Sequence, residues 1–226
     1  MNMTMFQQFE SPELLAVPTN FISMLLPLLL IHYKPKLLGN RATLMTTLFL
    51  KATLTNMINQ LPLNGQKWAR LLTSLLLLIL LSNLAGLLPY TFTTTSQLSM
   101  NMTLALPLWL STILTGFTTK PSTTLAHMLP EGSPTPLIPF MALIETISLL
   151  MRPIALGVRL TANITAGHLL MTMVGSSALS LANTHATLSL LTATLLLLLT
   201  LLELAVACIQ AYVFVLLTTL YLQENT

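Results

Sequence analysis

Five stretches of this chain, at roughly residues 14–33, 69–89, 101–119, 138–177 and 187–222, are leucine-rich and long enough to cross a bilayer. A soluble fold of this size needs a charged, solvated surface, and the residues for one are missing. Only 7% of the 226 residues are charged, against about 25% in ordinary soluble domains, and the mean hydropathy is +0.81. The apolar runs far exceed the ~10-residue alternating strands of a membrane barrel. The expected fold is an all-α integral membrane protein, a single membrane domain over residues 1–226 with about five embedded helices.

The last two segments are longer than one crossing requires. At 1.5 Å per residue each runs roughly 50–60 Å, against a hydrocarbon core of about 30 Å. Such helices must tilt strongly, bend or lie partly along the membrane, and Pro153, Gly157 and Gly167 are places to bend. Between the first two spans, residues 40–66 carry Leu54, Met57, Ile58 and Leu61 on one helical face, with Lys51, Asn56, Asn59 and Gln60 mostly on the other. That pattern predicts an amphipathic helix on the membrane surface; the alternative is an ordinary polar loop.

The loop cations are one-sided. Lys34, Lys36, Arg41, Lys51, Lys67 and Arg70 lie in or beside the first connection and Lys120 follows the third span, whereas the N-terminal tail and the connections at 90–100 and 178–186 hold no Lys or Arg. By the positive-inside rule the basic loops face the cytoplasm or mitochondrial matrix, with the N-terminus outside and the C-terminus inside. The N-terminus shows neither the basic start of a secretory signal nor the Arg-rich pattern of a transit peptide, so the first span is expected to be retained.

Several chemistries find no support. The lone Cys208 builds no disulfide or cysteine-based metal site within the chain and reads as a small buried hydrophobe. Zinc-ligand spacing, a Gly-rich phosphate loop and a nucleophile–base set are all missing, so no cofactor, no metal and no nucleotide chemistry is expected. The modest charge of +3 gives no reason to expect a nucleic-acid partner. His32, His127 and His185 fall at span ends or in loops, where solvated or interfacial histidines are ordinary.

Inside the spans the ionisable residues are few: Glu145, Arg152, Arg159, His168 and Glu203. A charge at mid-membrane costs at least about 2.5–3.5 kcal/mol, and such residues mark an ion path or pair with one another to hold helices together. Their spacing is regular. Glu145, Arg152 and Arg159 recur every seven residues, drifting only about 20° per step, and Asn163 continues the stripe. Glu203 and Gln210 repeat the seven-residue spacing on the last span. His168 lies about 13 Å beyond Arg159 and faces nearly the opposite way. Glu and His exchange protons, whereas the guanidinium of Arg stays charged. Protonatable groups interrupted by a fixed positive charge suggest two half-channels with a barrier between them.

Three segments also carry a resemblance: "PTPLIPFMALIETISLLMRPIALGVRLTANITAGHLL" (134–170), "NLAGLLPYTFTTTSQLSMN" (83–101) and "LELAVACIQAYVFVLLTTLYL" (202–222). They resemble subunit a of the mitochondrial F-type ATP synthase, with vertebrate character. The resemblance extends over essentially the full length and is most specific around Arg159. It implies a non-catalytic, proton-conducting stator subunit of the inner-membrane sector, packed against a rotating c-ring and contacting other membrane-sector and peripheral-stalk subunits within the lipid bilayer. Its matrix side would carry the 40–66 segment.

The same resemblance implies roles residue by residue. Arg159 matches the arginine that attracts a ring carboxylate and blocks leakage. His168 and Glu203 match the polar pair of the intermembrane-space half-channel, Glu145 the acidic residue of the matrix half-channel, and Asn163 and Gln210 the neighbours of the arginine. Glu224 is placed to help line the matrix side. Arg152 departs from the glutamine familiar in vertebrate members, and lies one stripe-step from Glu145, where the two can pair.

Two rival readings compete. A stand-alone proton-coupled transporter predicts an internal repeat and a substrate pocket at broken helices, and no convincing repeat is found. A purely structural subunit predicts that neutralising Arg159 and Glu145 together preserves activity.

Overall fold

The computed structural model describes residues 9–10, 13–14, 17–30, 41–61, 65–88, 91–119, 121–126, 138–182 and 186–225. The predicted positions His32, Lys34, Lys36, Lys120, His127 and His185 lie outside the described residues. The chain is built from helices: α1 (Thr19–Leu30), α2 (Arg41–Gln60), α3 (Ala69–Gly86), α4 (Leu98–Thr119), α5 (Pro121–Ala126), α6 (Ile138–Ala182) and α7 (Ala186–Asn225). Short 3-10 turns occupy Gln66–Trp68 and Thr94–Ser96. Two two-residue strands, β1 (Glu13–Leu14) and β2 (Val17–Pro18), pair antiparallel ahead of α1.

Four of the described helices are long and apolar enough to cross a membrane, the spans running Gln66–Gly86, Leu98–Thr119, Ile138–Ala182 and Thr187–Asn225. They match the segments expected at 69–89, 101–119, 138–177 and 187–222, with the last two extended at their ends. This is an all-α membrane protein. The segment expected at 14–33 differs in detail. Leu14, Val17 and Pro18 belong to the β1–β2 pair instead, and α1 has 12 residues, about 18 Å of helix. Pro18 favours extended backbone at the preceding Val17, which lies in β2, and α1 begins just after it.

Helices α6 and α7, of 45 and 40 residues, are about 68 and 60 Å long. α6 continues as one helix through Pro153, Gly157 and Gly167, so none of these ends it. Threonine and serine hydroxyls along the apolar helices bond back to carbonyls three or four residues earlier, as Thr165 to Thr161, Thr172 to Leu169 and Thr200 to Leu197. Each of these hydroxyls is thus satisfied within its own helix, as suits a lipid environment.

The chain divides into two compact units. One comprises residues 1–32, 77–100 and 159–212, the other residues 33–76, 101–158 and 213–226. In the first, the buried side chains include Ile79, Asn83, Leu160, Glu203 and Ala207. There α3 is tied to α7 by Asn83, whose amide donates to the Ala207 carbonyl, and Asn20 of α1 donates to Gln97. In the second, Met57, Leu61, Leu72, Leu76, Leu156, Phe214 and Val215 are buried. The tail of α7 meets α4 there, where the Thr119 hydroxyl reaches the Asn225 carbonyl.

α2 is a helix, as the 40–66 pattern predicts. Met57 and Leu61 are buried and Leu54 is half-buried, while Lys51, Asn56, Asn59 and Gln60 are exposed. Ile58 falls outside the buried face at 37% exposure, and Leu44, Met45, Leu48 and Phe49 are exposed as well. The helix therefore carries a second apolar surface in its first half, beyond the face read from Leu54 to Leu61.

Candidate functional site

In the first unit, the second half of α6 runs antiparallel to the first half of α7. The register is visible in three steps: Asn163 opposite Gln210, His168 opposite Glu203, and Gly175 opposite Leu196. The two polar stripes expected from the seven-residue spacings meet here. Asn163 Nδ2 donates to Gln210 Oε1 at 2.9 Å. His168 Nε2 stands 3.9 Å from Glu203 Oε1, within ion-pair range and beyond a direct hydrogen bond.

Burial is deep at this pair. Glu203 is 7% exposed, and neither of its carboxyl oxygens nor His168 Nε2 has a hydrogen-bond partner among the described residues. A small cavity adjoins them, lined by the polar side chains of Asn83, Asn163, His168, Glu203 and Gln210 and closed by Leu87, Ile164, Val206 and Ala207. It leaves about 10 Å³ for water centres, room for roughly one water with several polar neighbours. A carboxyl and an imidazole that share such a cavity can exchange a proton through it, each changing charge by one.

Asn83, which carries no ionisable group, is a further member of this site. It is 3% exposed; its Nδ2 donates to the Ala207 carbonyl at 3.4 Å, and its Oδ1 is buried without a hydrogen-bond partner. The signal was present in the sequence, as a carboxamide inside the run "LLLLILLSNLAG", where a polar side chain needs a partner as much as a charged one does.

The second unit holds a different cluster. Arg152 Nη1 donates to Glu224 Oε2 at 2.8 Å, Arg152 Nη2 lies 3.8 Å from Glu145 Oε1, and the guanidinium sits 5.0 Å from the centre of the Tyr221 ring. Arg152 and Glu145 do stand together, as their seven-residue spacing allows, but the tighter partner is Glu224 from the end of α7. Tyr221 is a further participant, unmarked in the sequence because an aromatic in an apolar helix looks like packing.

Arg159 behaves unlike its neighbours. It lies on the exposed side of α6, and its side chain forms no hydrogen bond or ion pair with any described residue. Every other Arg, Glu or His of α6 and α7 among the described residues has an oppositely charged or protonatable partner.

Fold and site together define a multi-pass helical membrane protein with protonatable pairs inside its spans, the makeup of a proton-conducting membrane subunit. The model of the family described as ATP synthase A chain matches residues 15–223. The chain is 71% identical to ATP synthase F(0) complex subunit a of Lycodon semicarinatus, 58% to that of Struthio camelus and 50% to that of Papio hamadryas, each over the full length of both chains. The chain belongs to the ATP synthase A chain family. Proton conduction in the membrane part of ATP synthase is the general function of that family, and the chain is a multi-pass protein of the mitochondrial inner membrane.

Proposed function

We propose that this chain forms the stationary side of a rotary proton path, with two offset half-channels that exchange protons with carboxylates on a ring of c subunits. The N-terminus lies in the intermembrane space and the C-terminus in the matrix, the orientation that puts the basic loops inside. His168 and Glu203, with Asn163 and Gln210 beside them, carry protons inward from the intermembrane space. Glu145 receives protons on the matrix side, with Arg152 and Glu224 next to it. The 40–66 segment lies along the matrix face, and the chain works as one membrane domain with its stalk and membrane-sector partners.

The observation that carries this reading is the isolation of Arg159. A charge kept inside a membrane protein without a partner costs several kcal/mol, and its neighbours on both long helices have partners. A guanidinium on an exposed helix face is set to meet an anion supplied from outside the chain, which is what a ring carboxylate is. It also repels a proton and never releases its own. A proton crossing the membrane yields about 2.3 kcal/mol per 100 mV, and that energy turns a ring only if the proton cannot pass directly from one half-channel to the other.

The test is Arg159→Ala in the assembled ATP synthase, reconstituted into sealed vesicles. ATP-driven acidification and passive proton leak are followed together after assembly has been verified. Loss of pumping with normal assembly, with or without leak, is expected. Undiminished pumping would reduce Arg159 to a structural charge and remove the barrier between the half-channels.

A further inference from the structure

We infer that Gly167 is a positioning residue of the proton path, because the space left by its missing side chain is the seat of the Glu203 carboxyl. A Cβ placed on Gly167 would fall 2.6 Å from Glu203 Oε1, 2.9 Å from its Cδ and 3.3 Å from its Cγ. Cβ atoms do not approach a carboxyl that closely, so any other residue at 167 drives the acid out of its place. His168 is the next residue on the same turn. One turn of α6 therefore presents both the recess that receives the carboxyl and the imidazole 3.9 Å from it.

The usual reasons for a helical glycine do not account for this one. Gly167 lies inside α6, where alanine is the better helix former. Small residues also let membrane helices approach closely, but the atoms over Gly167 are those of an acidic side chain rather than a backbone. Gly175, two turns later on α6, gives the contrast, since a Cβ there meets only Leu196 Cδ1 at 3.5 Å, an ordinary contact. What must give way at Gly167 is the end of a flexible side chain. Gly167→Ala therefore leaves the helices packed and displaces the one group whose position matters.

This inference rests on the reading of His168 and Glu203 as the intermembrane-space pair, and the experiment separates the two. Assembled ATP synthase carrying Gly167→Ala, Gly175→Ala, Glu203→Gln, Glu203→Asp or the Gly167→Ala/Glu203→Asp pair is reconstituted into sealed vesicles. Initial rates of ATP-driven acidification are normalised to assembled complex. Gly167→Ala is expected to slow pumping on the order of tenfold to a hundredfold, the scale of an ångström-sized misplacement, while Gly175→Ala matches the unmodified protein. Aspartate is shorter by one methylene. Glu203→Asp alone should slow pumping, yet in the Gly167→Ala background it should speed it, because the shorter acid clears the new methyl.

That reversal of sign is something a merely structural glycine does not produce. Where Gly167→Ala alone fails to assemble, the same pair decides through assembly yield, restored or not. Equal rates for Gly167→Ala and Gly175→Ala, or deficits that simply multiply in the pair, would overturn the seat while a dead Glu203→Gln left the proton path intact. Normal pumping by Glu203→Gln would overturn the proton path itself, and the seat with it.

Discussion

Asn163 and Gln210, 47 residues apart in the chain, face each other across α6 and α7 and share a hydrogen bond of 2.9 Å. Asn163 is also one helical turn beyond Arg159, close enough for side chains at these positions to meet. The amide is neutral and is held by Gln210, so it leaves the guanidinium available.

Asn163→Asp should therefore be more damaging than Asn163→Ala. The aspartate can accept from the Gln210 amide once that side chain turns its NH2 toward it, and it adds an anion one turn from Arg159, where it can capture the arginine. Pumping in sealed vesicles is expected to fall sharply for the aspartate with assembly and low passive leak preserved. The alanine loses one hydrogen bond, worth about 0.5–1.5 kcal/mol net, and should retain more activity. Equal activity of the two variants would show that Arg159 is not accessible to an anion at this position.

Asn83 links α3 to α7 and turns an unpartnered carboxamide oxygen into a buried setting beside the His168–Glu203 cavity. Asn83→Leu replaces that oxygen by hydrocarbon of similar length. The expected result is assembled complex with slower ATP-driven acidification, because the cavity loses one of the polar groups that would hold a water. Asn83→Ser, which keeps a polar group, should be milder. If the leucine variant pumps normally, Asn83 serves only to join the two helices.

The helices themselves were legible because the chain has so few ways to satisfy its backbone in lipid. Leucine-rich runs of the right length leave helix as the answer, and the observed boundaries of α3, α4, α6 and α7 depart from the expected ones by a few residues. Seven-residue spacing likewise made Glu145 and Arg152 neighbours in advance. The remaining contacts depend on which turns of α6 and α7 face each other, which periodicity within one helix does not specify. The pairing of Arg152 with Glu224, 72 residues away, and the recess at Gly167 required that register, and the place of Asn83 in the cavity required the packing of α3 on α7.

On α2 the apolar periodicity overstated one residue and missed a surface. Met57 is 2% exposed and Leu61 5%, whereas Met45 is 71% exposed. Met57→Ala should destabilise the chain by about 2–5 kcal/mol, as for other buried large-to-small changes. Met45→Ala should stay within about 0.5 kcal/mol, as exposed changes do. Thermal unfolding of the purified complex, with retention of this subunit as the readout, separates the two. A larger effect at Met45 would mean that its exposed face is covered in the assembly.

Arg152 is shared unequally, at 2.8 Å from Glu224 and 3.8 Å from Glu145. The side-chain exposures are 26%, 47% and 35% for Arg152, Glu224 and Glu145, and the two carboxylates compete for one guanidinium. Their effect falls on where the cation sits. Glu224 draws Arg152 to the end of α7 and leaves Glu145, the proposed matrix-side proton acceptor, as its more distant partner. Glu224→Gln should release Arg152 toward Glu145, and ATP-driven pumping should slow although thermal stability hardly changes. Adding Arg152→Gln to that variant removes the competing cation and should restore the rate. Pumping that is unaffected by Glu224→Gln, or not recovered in the double variant, would show that the Arg152–Glu224 contact does no more than pin the end of α7 to α6.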